Sequence, residues 1–157
     1  MQHLTPKQTQ PAVEALGHLL GAHATLTGQL SARLVEEHGL TLSEYEVLFL
    51  LSRETDHAMR RIDLSREVRL SPSGITRMLD RLQTTGLVEK GACAQDARVT
   101  YAVLTDAGMR KLRECAPDHL AAVERLIGER LGDEEVEVLS KLLGRLSDLD
   151  GDCGVGD

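Results

Sequence analysis

The stretch LSREVRLSPSGITRMLDRLQTTGLVEK, Leu64–Lys90, decides the fold. Ser71 is an N-cap residue followed by Pro72, which loses nothing at a first helical position whose N–H is unpaired in any case. Turning about 100° per residue from Ile75, Met78, Leu79 and Leu82 fall on one side of the helix. Ser73 and Arg77 fall nearly opposite, with Thr76 and Arg81 flanking, and Gly86 supplies the stop. A helix that only completes a core has no need of small polar residues at its start and arginines on its outer face. One that lies against another macromolecule does.

Met59 to Val68 reads as a short helix with Ile62, Leu64 and Val68 facing inward. Two short helices joined by a tight turn make a helix-turn-helix. Leu87–Lys90 and Val99–Leu104 read as two strands, the second alternating and β-branched, joined by the polar loop GACAQDA. A hairpin directly after the second helix makes the winged variant. Upstream, Val13, Leu16, Leu19, Leu20, Leu26, Leu30 and Leu34 trace a helical stripe that ends at His38-Gly39. Ser43 with Glu46 fits a capping box opening a helix through Leu51. Downstream, Thr105 to Gly108 opens a long helix that Pro117 is expected to kink or interrupt. After Gly132-Asp133, Val136, Leu139, Leu142, Leu143, Leu146 and Leu149 form a last stripe.

The 157 residues carry a net charge of -7, which alone argues against a polyanionic partner. The distribution reverses that. From Ala58 to Arg113 eleven bases face six acids, while the remainder holds seven bases and nineteen acids. A basic middle between acidic ends is expected where one part meets phosphate. Small side chains at Ser71, Ser73 and Gly74 let the helix N-terminus, with its free N–H groups, approach closely. Three cysteines without C-x-x-C fit a reducing cytoplasm. MQHLTPKQTQ has no apolar leader core and no run approaches a bilayer span, so a cytoplasmic chain without a membrane is expected. The six histidines show no metal spacing, GDCGVGD has neither the strand nor the helix of a phosphate loop, and no residues pair a nucleophile with a base. No metal, cofactor or enzymatic activity is expected.

The ordered series L-S-x-S-x-I-T-R (Leu70–Arg77), D-R-L-x-x-x-G-L-V (Asp80–Val88), D-x-R (Asp96–Arg98) and L-T-x-x-G (Leu104–Gly108) resembles the MarR family of bacterial transcription regulators over roughly Leu40 to Leu112. The resemblance implies a mainly α fold with a small β-hairpin wing. It also implies a homodimer built by residues 1–39 and 107–149, a DNA-binding domain over 40–106, and a flexible tail, 150–157. The helix from Ser71 would enter the major groove of a pseudo-palindromic operator, and Arg98, steadied by Asp96, the minor groove. Two features depart from the family pattern. Arg69 stands where glycine is usual in the turn, and the wing carries few arginines.

On this reading Ser73, Thr76 and Arg77 approach base edges, Gly74 permits close approach, and Ser71, Arg81 and Lys90 meet phosphates. The family's habit of an effector pocket between dimer helices and winged helix makes His18, His23, Tyr45 and Phe49 the candidates to bind a small aromatic or phenolic molecule that releases a repressor. Alternatives stay open: arginines that are only a solvated face, a winged-helix module that docks on protein, and redox control through Cys93 or Cys115.

Overall fold

The computed structural model describes residues 10–92 and 100–147. The element order is α1 (Pro11–His38), α2 (Leu42–Arg53), β1 (Ala58–Arg60), α3 (Arg61–Glu67), α4 (Pro72–Thr84), β2 (Val88–Ala92), β3 (Thr100–Leu104), α5 (Asp106–Val123), a π-helical turn (Glu124–Gly128) and α6 (Asp133–Ser147). The chain divides at Pro117 into two compact units.

The first unit holds the core. Leu34, Leu40, Tyr45, Val47, Leu48, Leu51, Leu64, Ile75, Leu79, Leu82, Val88, Ala102, Leu104, Leu112 and Cys115 bury against one another. The apolar faces predicted for the two central helices thus meet in one cluster, because a helix with one apolar stripe is stable only when that stripe is covered. Three strands form an antiparallel sheet in the order β1-β3-β2. Lys90 lies opposite Ala102 across β2 and β3, and Met59 faces the same Ala102 from β1.

Four sequence expectations are corrected. The helix predicted from Met59 begins at Arg61, because Ala58–Arg60 pairs with β3 as a third strand. Backbone pairing with a neighbouring strand overrides local helical periodicity. Ile62 is 47% exposed, whereas Leu64 and Val68 are buried as expected. The capping box is Thr41 with Glu44, not Ser43 with Glu46: Thr41 Oγ1 accepts from Glu44 N–H at 3.3 Å, and Glu44 Oε2 accepts from Thr41 N–H at 2.8 Å. Both tetrapeptides fit the pattern, but starting at Thr41 lets Leu40 staple onto Tyr45 in the core. Finally, α5 runs through Pro117 and gives way only after Val123, to the π-helical turn. One missing N–H removes one bond from a helix that flanking turns otherwise hold.

Both helices of the helix-turn-helix end on the same geometry. After α4, Leu87 N–H donates to Leu82 O and Gly86 N–H to Gln83 O; after α3, Leu70 N–H donates to Ser65 O and Arg69 N–H to Arg66 O. These are the paired 6→1 and 5→2 bonds of a Schellman motif, which needs a left-handed residue. Gly86 takes it at φ 73°, and Arg69 takes it at φ 53°. The buried Ser65 hydroxyl donates to Leu70 O at 2.7 Å and closes the turn from inside. Gly108 is required for another reason: a Cβ there would lie 2.1 Å from Leu87 O, a backbone atom.

Apolar side chains also remain uncovered. In the first unit α1 exposes Val13, Leu16 and Leu20; in the second, α6 exposes Val138, Leu142 and Leu146. Among the described residues no helix is long and apolar enough to cross a membrane.

Candidate nucleic-acid interface

The candidate surface is the outer face of α4. Its N-cap is built as predicted: Ser71 Oγ accepts from Gly74 N–H at 3.1 Å and lies 3.2 Å from Ser73 Oγ. Ser71, Ser73 and Arg77 are exposed, while Ile75, Leu79 and Leu82 hold the opposite face in the core. Arg77 makes no hydrogen bond or ion pair among the described residues, so its five N–H donors point at solvent. Thr76 is half-buried, and its hydroxyl is spoken for: it donates to Pro72 O at 2.8 Å and accepts from Arg61 Nη1 at 3.4 Å.

Two predicted phosphate ligands have partners within the chain. Lys90 Nζ pairs with Asp80 Oδ1 at 2.8 Å, both side chains about half exposed, an exchangeable pair that stabilises by roughly 0–1 kcal/mol. Arg81 is held more firmly. Its Nε donates to Glu44 Oε1 at 2.5 Å and its Nη2 engages the same oxygen.

Glu44 is the residue that sequence reasoning missed. It is 2% exposed, inside an apolar core, and Oε2 is satisfied by Thr41 N–H and Thr41 Oγ1 at 2.8 and 3.0 Å. Burial pushes its carboxyl up, but the Arg81 and Thr41 hydrogen bonds and the Arg81 charge outweigh this and hold it below the ordinary value of 4.5. A signal existed. Glu44, Val47, Leu48 and Leu51 stand at i, i+3, i+4 and i+7, a buried stripe that includes one charge.

Between α4 and the base of the wing lies a cavity of about 110 Å3 lined by the buried Leu79, Val88 and Ala102 and by Arg61, Thr76, Lys90 and Tyr101. It includes none of the predicted effector residues. His18 and His23 are exposed on α1, Tyr45 is buried in the core, and Phe49 is 43% exposed with Arg53 stacked 5.7 Å from its ring centroid. Glu46, the discarded box partner, lies within electrostatic reach of His23 and Arg69. Asp96, Arg98 and Cys93 lie outside the described residues. Cys115 is fully buried.

Comparison with known proteins decides the family. A model described as MarR family matches residues 38–99. The HTH-type transcriptional regulator MhqR of Bacillus subtilis is 33% identical over 112 residues, 71% of this chain and 75% of that one. The chain belongs to the MarR family. It is a winged-helix transcriptional regulator and not an enzyme. The crystal structure of AbsC, a MarR family regulator from Streptomyces coelicolor, superposes with a TM-score of 0.81 at 31% identity, over 97% of this chain and 100% of that one. Sco3205 from the same organism, whose structure is in complex with DNA, matches with a TM-score of 0.82 over 92% of this chain and 91% of that one, at 24% identity. That likeness carries the fold. In this MarR-family chain α3 and α4 form the helix-turn-helix, and β2 and β3 form the base of the wing.

Proposed function

We propose that this regulator binds a pseudo-palindromic duplex DNA operator as a homodimer in the cytoplasm, and represses until a small aromatic or phenolic effector releases it. The observation that carries the reading is the outer stripe of α4. Ser73 and Arg77 sit exposed four residues apart beside a capped helix N-terminus, and the Arg77 guanidinium has no partner among the described residues. Ser73, Thr76 and Arg77 approach base edges; the exposed helix start at Ser71 and Ser73, with the small Gly74 beside it, favours phosphate, and Asp96 and Arg98 complete the contact from the wing. The uncovered leucines of α1 and α6 are the surfaces proposed to pair in the second copy, since exposed apolar stripes of this kind mark association.

The effector site is proposed among His18, His23, Tyr45 and Phe49. What supports it is the packing of α1 on α2, with Phe49 left exposed and His23 near Glu46. A thermal-shift panel of phenolic acids tests this part: a raised midpoint that Phe49→Ala abolishes supports it, and a flat panel removes it.

The DNA reading is tested by Arg77→Ala. On a duplex enriched from a random library the variant should lose about 1–3 kcal/mol of affinity and relax base preference at one position of each half-site. An unchanged binding profile would remove Arg77 from the interface.

A further inference from the structure

Arg81 stands four residues after Arg77 and eight after Ser73, so the three share one stripe of α4. Its side chain is 59% exposed although one edge is bound to a carboxylate that is almost wholly buried. A guanidinium has five N–H donors in a fixed planar fork. Nε–H and one Nη2 N–H are taken by Glu44 Oε1, leaving three, on the edge away from the core. Glu44 itself cannot swing, because its second oxygen is tied to Thr41 at the start of α2. The guanidinium therefore keeps one orientation without DNA, and its rotamer entropy is already spent before any ligand arrives.

We infer that Glu44 is a positioning residue of the nucleic-acid interface: it fixes Arg81 so that the three remaining N–H donors form a preset clamp for one backbone phosphate at the C-terminal end of the recognition helix. This deepens the proposed DNA reading and rests on it. The contact is with phosphate, so it sets affinity and register but carries no base information. Lysine is a poor replacement, since its ammonium is a point charge on a flexible stem and lacks the planar fork that fixes donors on one edge while the other is held.

The test uses the full chain and two duplexes, one enriched from a random library and one scrambled, each titrated across a series of salt concentrations. Arg81→Gln should weaken binding roughly tenfold on both duplexes and reduce the slope of log K against log salt by about 0.9, with the ratio between duplexes unchanged. Arg81→Lys, which keeps the charge, should lose affinity on both as well. Glu44→Gln is decisive because two accounts give opposite signs. Removing a negative charge near DNA should tighten binding if Arg81 is only a counter-ion, whereas loss of the anchor should weaken it if Glu44 positions the clamp. Glutamine can still cap α2, and circular dichroism confirms that each variant folds. A Glu44→Gln variant that binds as well as or better than wild type, or Arg81→Gln with an unaltered slope, overturns the inference while the DNA reading stands. A wild-type protein whose binding is weak and insensitive to salt removes the DNA reading, and the inference with it.

Discussion

The left-handed residue in the helix-turn-helix turn gives the sharpest stability prediction. Arg69 closes α3 at φ 53°, where Gly86 closes α4 at φ 73° in the same hydrogen-bond pattern. A residue with a Cβ in that region costs roughly 1–2 kcal/mol relative to one without. Arg69→Gly removes that strain but adds backbone freedom to the unfolded chain, which takes back roughly 0.4–1 kcal/mol. The exposed Arg69 is within reach of Glu46, and loss of a surface charge pair subtracts only a few tenths of a kcal/mol, approximately, more. Taken at mid-range the net is a stabilisation of about 0.5 kcal/mol, which for a chain of this size raises the thermal midpoint by roughly 1–2 °C. Scanning calorimetry and urea unfolding at one fixed protein concentration measure it, since a chain that pairs with itself has a concentration-dependent midpoint. The mirror variant, Gly86→Ala, should lose about 1–2 kcal/mol. An Arg69→Gly midpoint equal to or below wild type, with the fold intact, would refute the reasoning by showing that the arginine side chain holds more than its backbone loses.

Other outcomes follow from the same structure. Gly108→Ala should destabilise by about 1–3 kcal/mol or more, because its Cβ would strike the Leu87 backbone oxygen; Gly128→Ala, which meets only the flexible Glu124 side chain, should be tolerated, and urea unfolding separates the two. The Glu44 carboxyl is depressed in the fold, so its stabilisation is present above about pH 4.5 and lost as pH falls through its lower folded-state value. Wild type should therefore exceed Glu44→Gln in unfolding free energy at pH 7 by about 1.5–3 kcal/mol, with the gap closing in acid below pH 4.5; a gap constant from pH 7 to 3 would contradict this. Thr76 has its hydroxyl turned onto Pro72 O, so Thr76→Val should keep the base preference in a selection experiment, and a changed preference would show that the hydroxyl reads DNA.

The winged helix was legible because its signals are local. Ser71-Pro72 as cap and first turn, the Ile75-Leu79-Leu82 stripe and Gly86 as stop each depend on neighbours within a few residues, and all three stand in the structure. What escaped depends on partners distant in sequence. Ala58–Arg60 is a strand only because β3, more than forty residues on, offers an edge, as Met59 lies across from Ala102. Arg81 looked like a free cation because Glu44, 37 residues upstream, has no periodic signature tying it to that helix. The choice between Thr41 and Ser43 as cap turned on whether Leu40 reached the core, a tertiary fact. At the site, Ser73 and Arg77 could be placed outward from the wheel alone, whereas the state of Thr76 and Lys90 required their hydrogen-bond partners.

The central claim is that the outer stripe of α4, presented twice by a twofold pair, reads duplex DNA. Selection of duplexes from a random library by the purified chain, with sequencing of the enriched pool, tests it most directly. The account predicts an inverted repeat whose half-sites are spaced by about one helical turn, roughly 10–10.5 base pairs, and an Arg77→Ala pool that has lost information at one position in each half. A pool without any enriched motif, or a motif that Arg77→Ala and Ser73→Ala leave intact, would contradict it.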